Sequence, residues 1–176
     1  MKKGYVQVYT GDGKGKTTAA IGLGVRAAGR GLKVIMIQFL KGVFTGELEG
    51  VKKLSPQFHI IRFAETDKFF WELSEKEKQE LKEKTQKQLQ ELDEYMKDEA
   101  CDILILDEIM AAIHGGLVSV EQVCDIVDNK PDGMELILTG RNVPEAIAER
   151  ADLITEMKAI KHYSQLGVPA REGIEL

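Results

Sequence analysis

Residues 5–20, YVQVYTGDGKGKTTAA, constrain the fold of this chain more than any other stretch. Tyr5 to Thr10 reads as a strand, opening on the alternating run Tyr5-Val6-Gln7-Val8. Glycines follow at positions 11, 13 and 15. From Lys16 an apolar helical stretch runs to about Arg30, where Gly31 stops it. Strand, glycine-rich loop and helix in this order wrap backbone around an anion.

The rest of the chain keeps the same alternation. KVIMIQF (Lys33 to Phe39) and FHIIRF (Phe58 to Phe63) read as strands. Ser74 and Glu77 make a capping-box pattern that opens a long charged helix to about Asp98. Leu81, Leu89, Leu92 and Met96 keep helical spacing there, and its charges read as a solvated face. DILILDE (Asp102 to Glu108) is a continuous apolar run ending in two acids, the pattern of a strand buried on both faces of a parallel sheet. Ser119 and Gln122 cap a further helix to about Asn129. MELILT (Met134 to Thr139) is a strand, Pro144 suits the first turn of a helix, and Leu153 to Ile160 forms a last strand before an irregular tail. The expected fold is one α/β domain, residues 1–176, with a mainly parallel sheet flanked by helices.

A chain of 176 residues with 43% hydrophobic content can bury a real core and is not disordered. The net charge of -5 disfavours nucleic acid as the main partner. Cys101 and Cys124 form no C-x-x-C pair and suit a reducing compartment. Met1-Lys2-Lys3-Gly4 enters the first strand without a signal-peptide core. No apolar run approaches the roughly 20 residues of a membrane span. The expected setting is the cytoplasm, without a membrane.

The strict phosphate-loop pattern is G-x-x-x-x-G-K-[ST]. Gly15, Lys16 and Thr17 match its end, Thr10 holds its first position, and Gly11, Asp12, Gly13 and Lys14 fill the loop, with Thr18 following. Loop amides and the helix N-terminus attract phosphate, Lys16 adds a positive charge, and the Thr17 hydroxyl suits Mg²⁺. Asp107 and Glu108 end the DILIL strand, where a parallel sheet opens its ligand crevice, and so are candidate metal-binding acids. Arg141 follows the neighbouring strand and suits either a phosphate or a surface carboxylate. His59 reads as packing and His114 as a turn residue before Gly115-Gly116; three scattered histidines make no metal cluster. Gly22 and Gly24 read as allowing close helix–sheet packing. Phe69-Phe70-Trp71 reads as a core cluster ahead of the Ser74 helix. These residues support binding of Mg-ATP but leave the reaction open among kinase, ATPase and switch.

The chain also resembles the ATP:corrinoid adenosyltransferases with a P-loop NTPase (RecA-like) fold. The resemblance runs through YTGDGKGKTTAA, VIMIQFLKG, FFWE, ILILDEI and LTGRNVPEAIAERADLITEM to KH and AREGIE in the tail. It implies that ATP is a co-substrate whose phosphates are not transferred. The Co(I) of a corrinoid attacks the 5′ carbon, and the whole triphosphate leaves. It implies metal ligation by Thr17 and Glu108 with Asp107 adjacent, and charge stabilisation of the leaving group by Lys16. Phe69 and Trp71 would occupy the lower face of the corrin, leaving a four-coordinate Co(II) that is easier to reduce. The resemblance further implies a homodimer and an electron donor such as a flavoprotein. The alternative reading is a P-loop kinase or ATPase making ADP, or a nucleotide-dependent switch; the first needs a general base that the sequence does not offer.

Overall fold

The computed structural model describes residues 2–66, 68, 70–97 and 100–175. Six strands lie in one sheet: β1 (Val6–Thr10), β2 (Val34–Phe39), β3 (Phe58–Phe63), β4 (Ile103–Asp107), β5 (Glu135–Thr139) and β6 (Leu153–Glu156). Every pairing is parallel, in the order β3-β2-β4-β5-β1-β6. The helices are α1 (Lys16–Ala28), α2 (Glu47–Lys52), α3 (Glu75–Tyr95), α4 (Ile109–His114), α5 (Val120–Asp128) and α6 (Glu145–Ala148).

The α/β expectation holds, and the reason is visible in β4. Ile103 and Ile105 face one core layer, with Ala20 and Ala27 of α1. Leu104 and Leu106 face the other, with Leu81 and Leu92 of α3. A strand covered by helices on both faces has no polar side, so its sequence does not alternate. The capping boxes of Ser74 with Glu77 and of Ser119 with Gln122 are both formed.

Several boundaries move. The last strand stops at Glu156 because Met157 turns away to bond the phosphate loop. Pro144 stands just before α6 rather than within its first turn. The six-residue helices α2 and α4 are too short to leave a helical period in the sequence. His114 is therefore the last residue of α4, its Nδ1 2.5 Å from the Met110 carbonyl, not a turn residue. His59 lies in the edge strand β3 but is exposed, so it is not a packing residue. Gly24 packs against the Phe58 ring as expected, whereas Gly22 faces open space. Cys101 and Cys124 are buried and unpaired; burial pushes the Cys101 thiol up to about 12, leaving it inert. Among the described residues, no helix is long and apolar enough to cross a membrane.

Candidate functional site

The carboxyl ends of the strands form one rim, and the backbone turns sharply along it. Gly11 follows β1 at φ 98°, Leu40 follows β2 at 59°, Ala64 follows β3 at 54°, Glu108 follows β4 at 62° and Gly140 follows β5 at 139°. Three of these are not glycine, and side-chain-bearing residues in this region cluster at functional sites. A cleft of about 800 Å³ opens on the rim. Its walls are the loop and start of α1, residues 40–43 and 45–47, Thr66, Lys68, Glu108 and the tail at 173–175.

The loop is latched to the chain beyond β6. Gly13 N–H donates to the Met157 carbonyl at 2.7 Å, and Met157 N–H donates to Thr10 at 2.8 Å. A Cβ at Gly11 or Gly13 would meet the Met157 carbonyl oxygen at 2.4 or 2.7 Å, so both glycines are required by contact. Lys16 donates to the carbonyls of Gly11 at 2.7 Å and Gly13 at 2.9 Å. Burial lowers its pKa, opposed chiefly by the charge of Glu108. Lys14 reaches the tail instead, donating to the Ile174 carbonyl at 2.8 Å and pairing with Glu175 at 3.2 Å. Arg141 sits 3.6 Å from Asp12, both exposed, and so meets a carboxylate of the loop.

The acids divide. Asp107 is fully buried. Its Oδ1 accepts from the Thr17 hydroxyl at 2.8 Å and the Thr139 hydroxyl at 2.7 Å. Its Oδ2 faces the Lys41 ammonium at 3.1 Å and the Gln38 amide at 3.4 Å. Thr139 also accepts from the Glu108 amide at 2.9 Å. This hydroxyl ties the end of β5 to the end of β4. Glu108 lines the cleft. Burial, then the charge of Asp107, raises its pKa, while Lys41, Lys16 and Arg141 pull it down.

Among the described residues, no three His, Cys, Asp or Glu side chains converge to hold a metal by themselves. Mg²⁺ bound with a nucleotide takes one or two carboxylates, phosphate oxygens and water. Thr17, Asp107 and Glu108 supply oxygen ligands of that kind. Phe69 lies outside the described residues. Trp71 stands on a 3-10 turn, Phe70–Glu72, and is 75% exposed; it is not a core residue. Phe70 is the aromatic that packs on the core. Sequence reasoning missed Lys41, Gln38, Glu47 and the tail residues of the cleft. The position of Lys41 just after a strand end was its only signal.

A parallel sheet with this loop and a buried acid opposite it defines a P-loop nucleotide-binding protein. The fold is matched by ATPases 2 and 3 of EssC from Geobacillus thermodenitrificans, at TM-score 0.50 and 14% identity. ATPases 2 and 3 of EccC from Thermomonospora curvata match at TM-score 0.51 and 17% identity. This chain is covered to 98% and 87% in those matches, but spans only 36% and 31% of the two chains. The model of the ATP:corrinoid adenosyltransferase family BtuR/CobO/CobP matches residues 2–176, and the chain belongs to that family. A corrinoid adenosyltransferase of Sinorhizobium is 35% identical over 99% of this chain and 81% of its own length. That of Escherichia coli K12 is 31% identical over 99% and 86%.

Proposed function

We propose that the chain transfers the 5′-deoxyadenosyl group of ATP to the Co(I) of a corrinoid, with one Mg²⁺, in adenosylcobalamin synthesis or salvage. Family membership over residues 2–176 carries this reading. The site chemistry agrees with it. Co(I) supplies the electron pair to C5′, the C5′–O bond breaks, and triphosphate leaves with that bond's electrons. No proton is moved, so no general base is needed. What the reaction does need is stabilisation of negative charge on the leaving group. The loop amides from Gly11 to Thr18, Lys16 and the helix α1 N-terminus supply it. Mg²⁺ would add Lewis-acid stabilisation there, held by Thr17, Glu108 and Asp107, whose Oδ1 also accepts from the Thr17 hydroxyl. Arg141 exchanges Asp12 for phosphate.

Phe69 and Trp71 take the lower face of the corrin. The exposure of Trp71 supports this, since a large aromatic with most of its surface exposed offers contact area to a flat apolar ligand. The electron donor is a flavoprotein, the enzyme works in the cytoplasm as a homodimer, and residues 1–176 act as one domain without nucleic acid or membrane.

The products test the reading. Protein, Mg-ATP and chemically reduced cobalamin, mixed without oxygen, yield adenosylated corrinoid and intact triphosphate on chromatography. Stoichiometric ADP with a phosphorylated acceptor would replace it with the kinase.

A further inference from the structure

Asp107 is fully buried, and a buried carboxylate needs a compensating charge. Its Oδ1 is occupied by the two threonine hydroxyls. The charge facing Oδ2 is Lys41, at 3.1 Å. Lys41 also stands 3.8 Å from Glu47 and keeps 23% of its side chain in solvent. It is thus seated on the acid but partly hydrated, and its departure costs less than that of a sealed ion pair.

The surrounding loop is built to hold it there. Leu40, the residue before it, adopts φ 59°, a conformation that a branched side chain disfavours. Arg62 fixes the far end of the loop, donating to the Val43 carbonyl at 2.9 Å and the Thr45 hydroxyl at 3.0 Å. Gln38 joins Glu47 at 3.1 Å to the same cluster. Lys41 lines the same cleft as Lys16, Thr17 and Glu108. One oxygen of the set suited to a divalent cation, Asp107 Oδ2, therefore already faces a monovalent one.

We propose that Lys41 is an exchangeable counter-cation of this site. It neutralises Asp107 in the nucleotide-free protein and gives that carboxylate up when the metal arrives with ATP. This rests on the reading of Thr17, Asp107 and Glu108 as a metal site. The exchange has a consequence for binding. A nucleotide that arrives without metal still meets a neutralised acid, because Lys41 stays. Without Lys41, metal-free nucleotide faces bare negative charge, while Mg-ATP brings its own cation.

Calorimetric titration of ATP in EDTA and of Mg-ATP tests this on wild type, Lys41→Met and Lys41→Arg. Lys41→Met weakens binding of metal-free ATP by at least about tenfold, the effect of one neighbouring charge on an ionised group. It changes binding of Mg-ATP by less than about threefold, and Lys41→Arg restores metal-free binding. Lys41→Met/Asp107→Asn, which removes both partners, abolishes the selective penalty and serves if the single variant does not fold. Equal weakening in the two titrations overturns the proposal, since a lysine that only contacts phosphate or supports the fold acts on both. The metal-site reading fails separately. If wild-type and Asp107→Asn/Glu108→Gln proteins show the same gain in ATP affinity on adding Mg²⁺, those acids hold no metal, and the exchange falls with them.

Discussion

Glu108 shows how one residue is tuned by its setting. Its left-handed backbone ends β4 and starts α4, leaving its carboxyl in the cleft wall beside Asp107. Burial and that neighbour raise its pKa above the ordinary 4.5. A raised acid keeps its proton to higher pH, so if Glu108 holds Mg²⁺ as proposed, the proton competes with the metal over a range above the usual carboxylate value. The Mg²⁺ concentration that half-saturates nucleotide binding therefore rises as pH falls through that range. In Glu108→Gln this part of the dependence is absent, while the titration of ATP itself remains in both proteins. Parallel profiles for the two proteins, measured by calorimetry across pH, would remove Glu108 from the metal. On the proposed reaction, Lys16→Ala removes a charge from the departing triphosphate and lowers the rate by at least ~10²-fold in a single-turnover assay, as loss of one transition-state stabiliser does.

At the scale of elements, α1 carries two glycines that the sequence alone treats alike. A Cβ at Gly24 would meet the fully buried Phe58 ring at 2.5 Å, whereas one at Gly22 would meet nothing within 4 Å. Gly22→Ala therefore stabilises by about 0.5–1 kcal/mol, since alanine loses less backbone freedom in a helix. Gly24→Ala costs about 1–3 kcal/mol through overpacking against β3. For a chain of this size each kcal/mol moves the melting temperature by roughly 2–4 °C, so thermal melts of the two variants shift in opposite directions. Equal shifts would mean that α1 does not pack as closely on Phe58. The long helices were legible because α3 joins its period to a capping box and α1 keeps an apolar period directly after the glycine loop. α2 and α4 were not, because a single turn and a half carries no period, and Glu108 begins α4 without a side-chain cap.

At the scale of the whole molecule, the cleft is assembled from five segments distant in sequence. The tail is one of them: Glu175 accepts from Tyr163 and Arg171 and pairs with Lys14 of the loop. The stretch carrying Trp71 lies just beyond Lys68, another wall residue. Core aromatics cut to alanine cost ~3–5 kcal/mol, but Trp71 is 75% exposed. Trp71→Ala accordingly leaves the melting temperature nearly unchanged. If Trp71 lies beneath the corrin as proposed, the variant fails with cob(II)alamin and a mild reductant, yet keeps much of its activity with cobalamin already reduced to Co(I). Equal losses in both assays would leave the corrinoid site without this floor.

The sequence by itself determined the alternation of strands and helices, the phosphate loop and the strand that ends in acids. These rest on short-range rules: periodicity, capping, and the need for glycine where backbone wraps an anion. It also marked Asp107 and Glu108 as a pair, because they are adjacent in the chain. Only the tertiary structure separated them, burying Asp107 under Thr17 and Thr139 and leaving Glu108 at the cleft. Only the tertiary structure brought Lys41 to Asp107 and Glu175 to Lys14. Those contacts join residues 66 and 161 positions apart, through strands whose order in the sheet is not their order in the chain. Local rules specify each strand and helix, but contacts between distant segments follow from strand order and register, which burial of both sheet faces selects for the molecule as a whole.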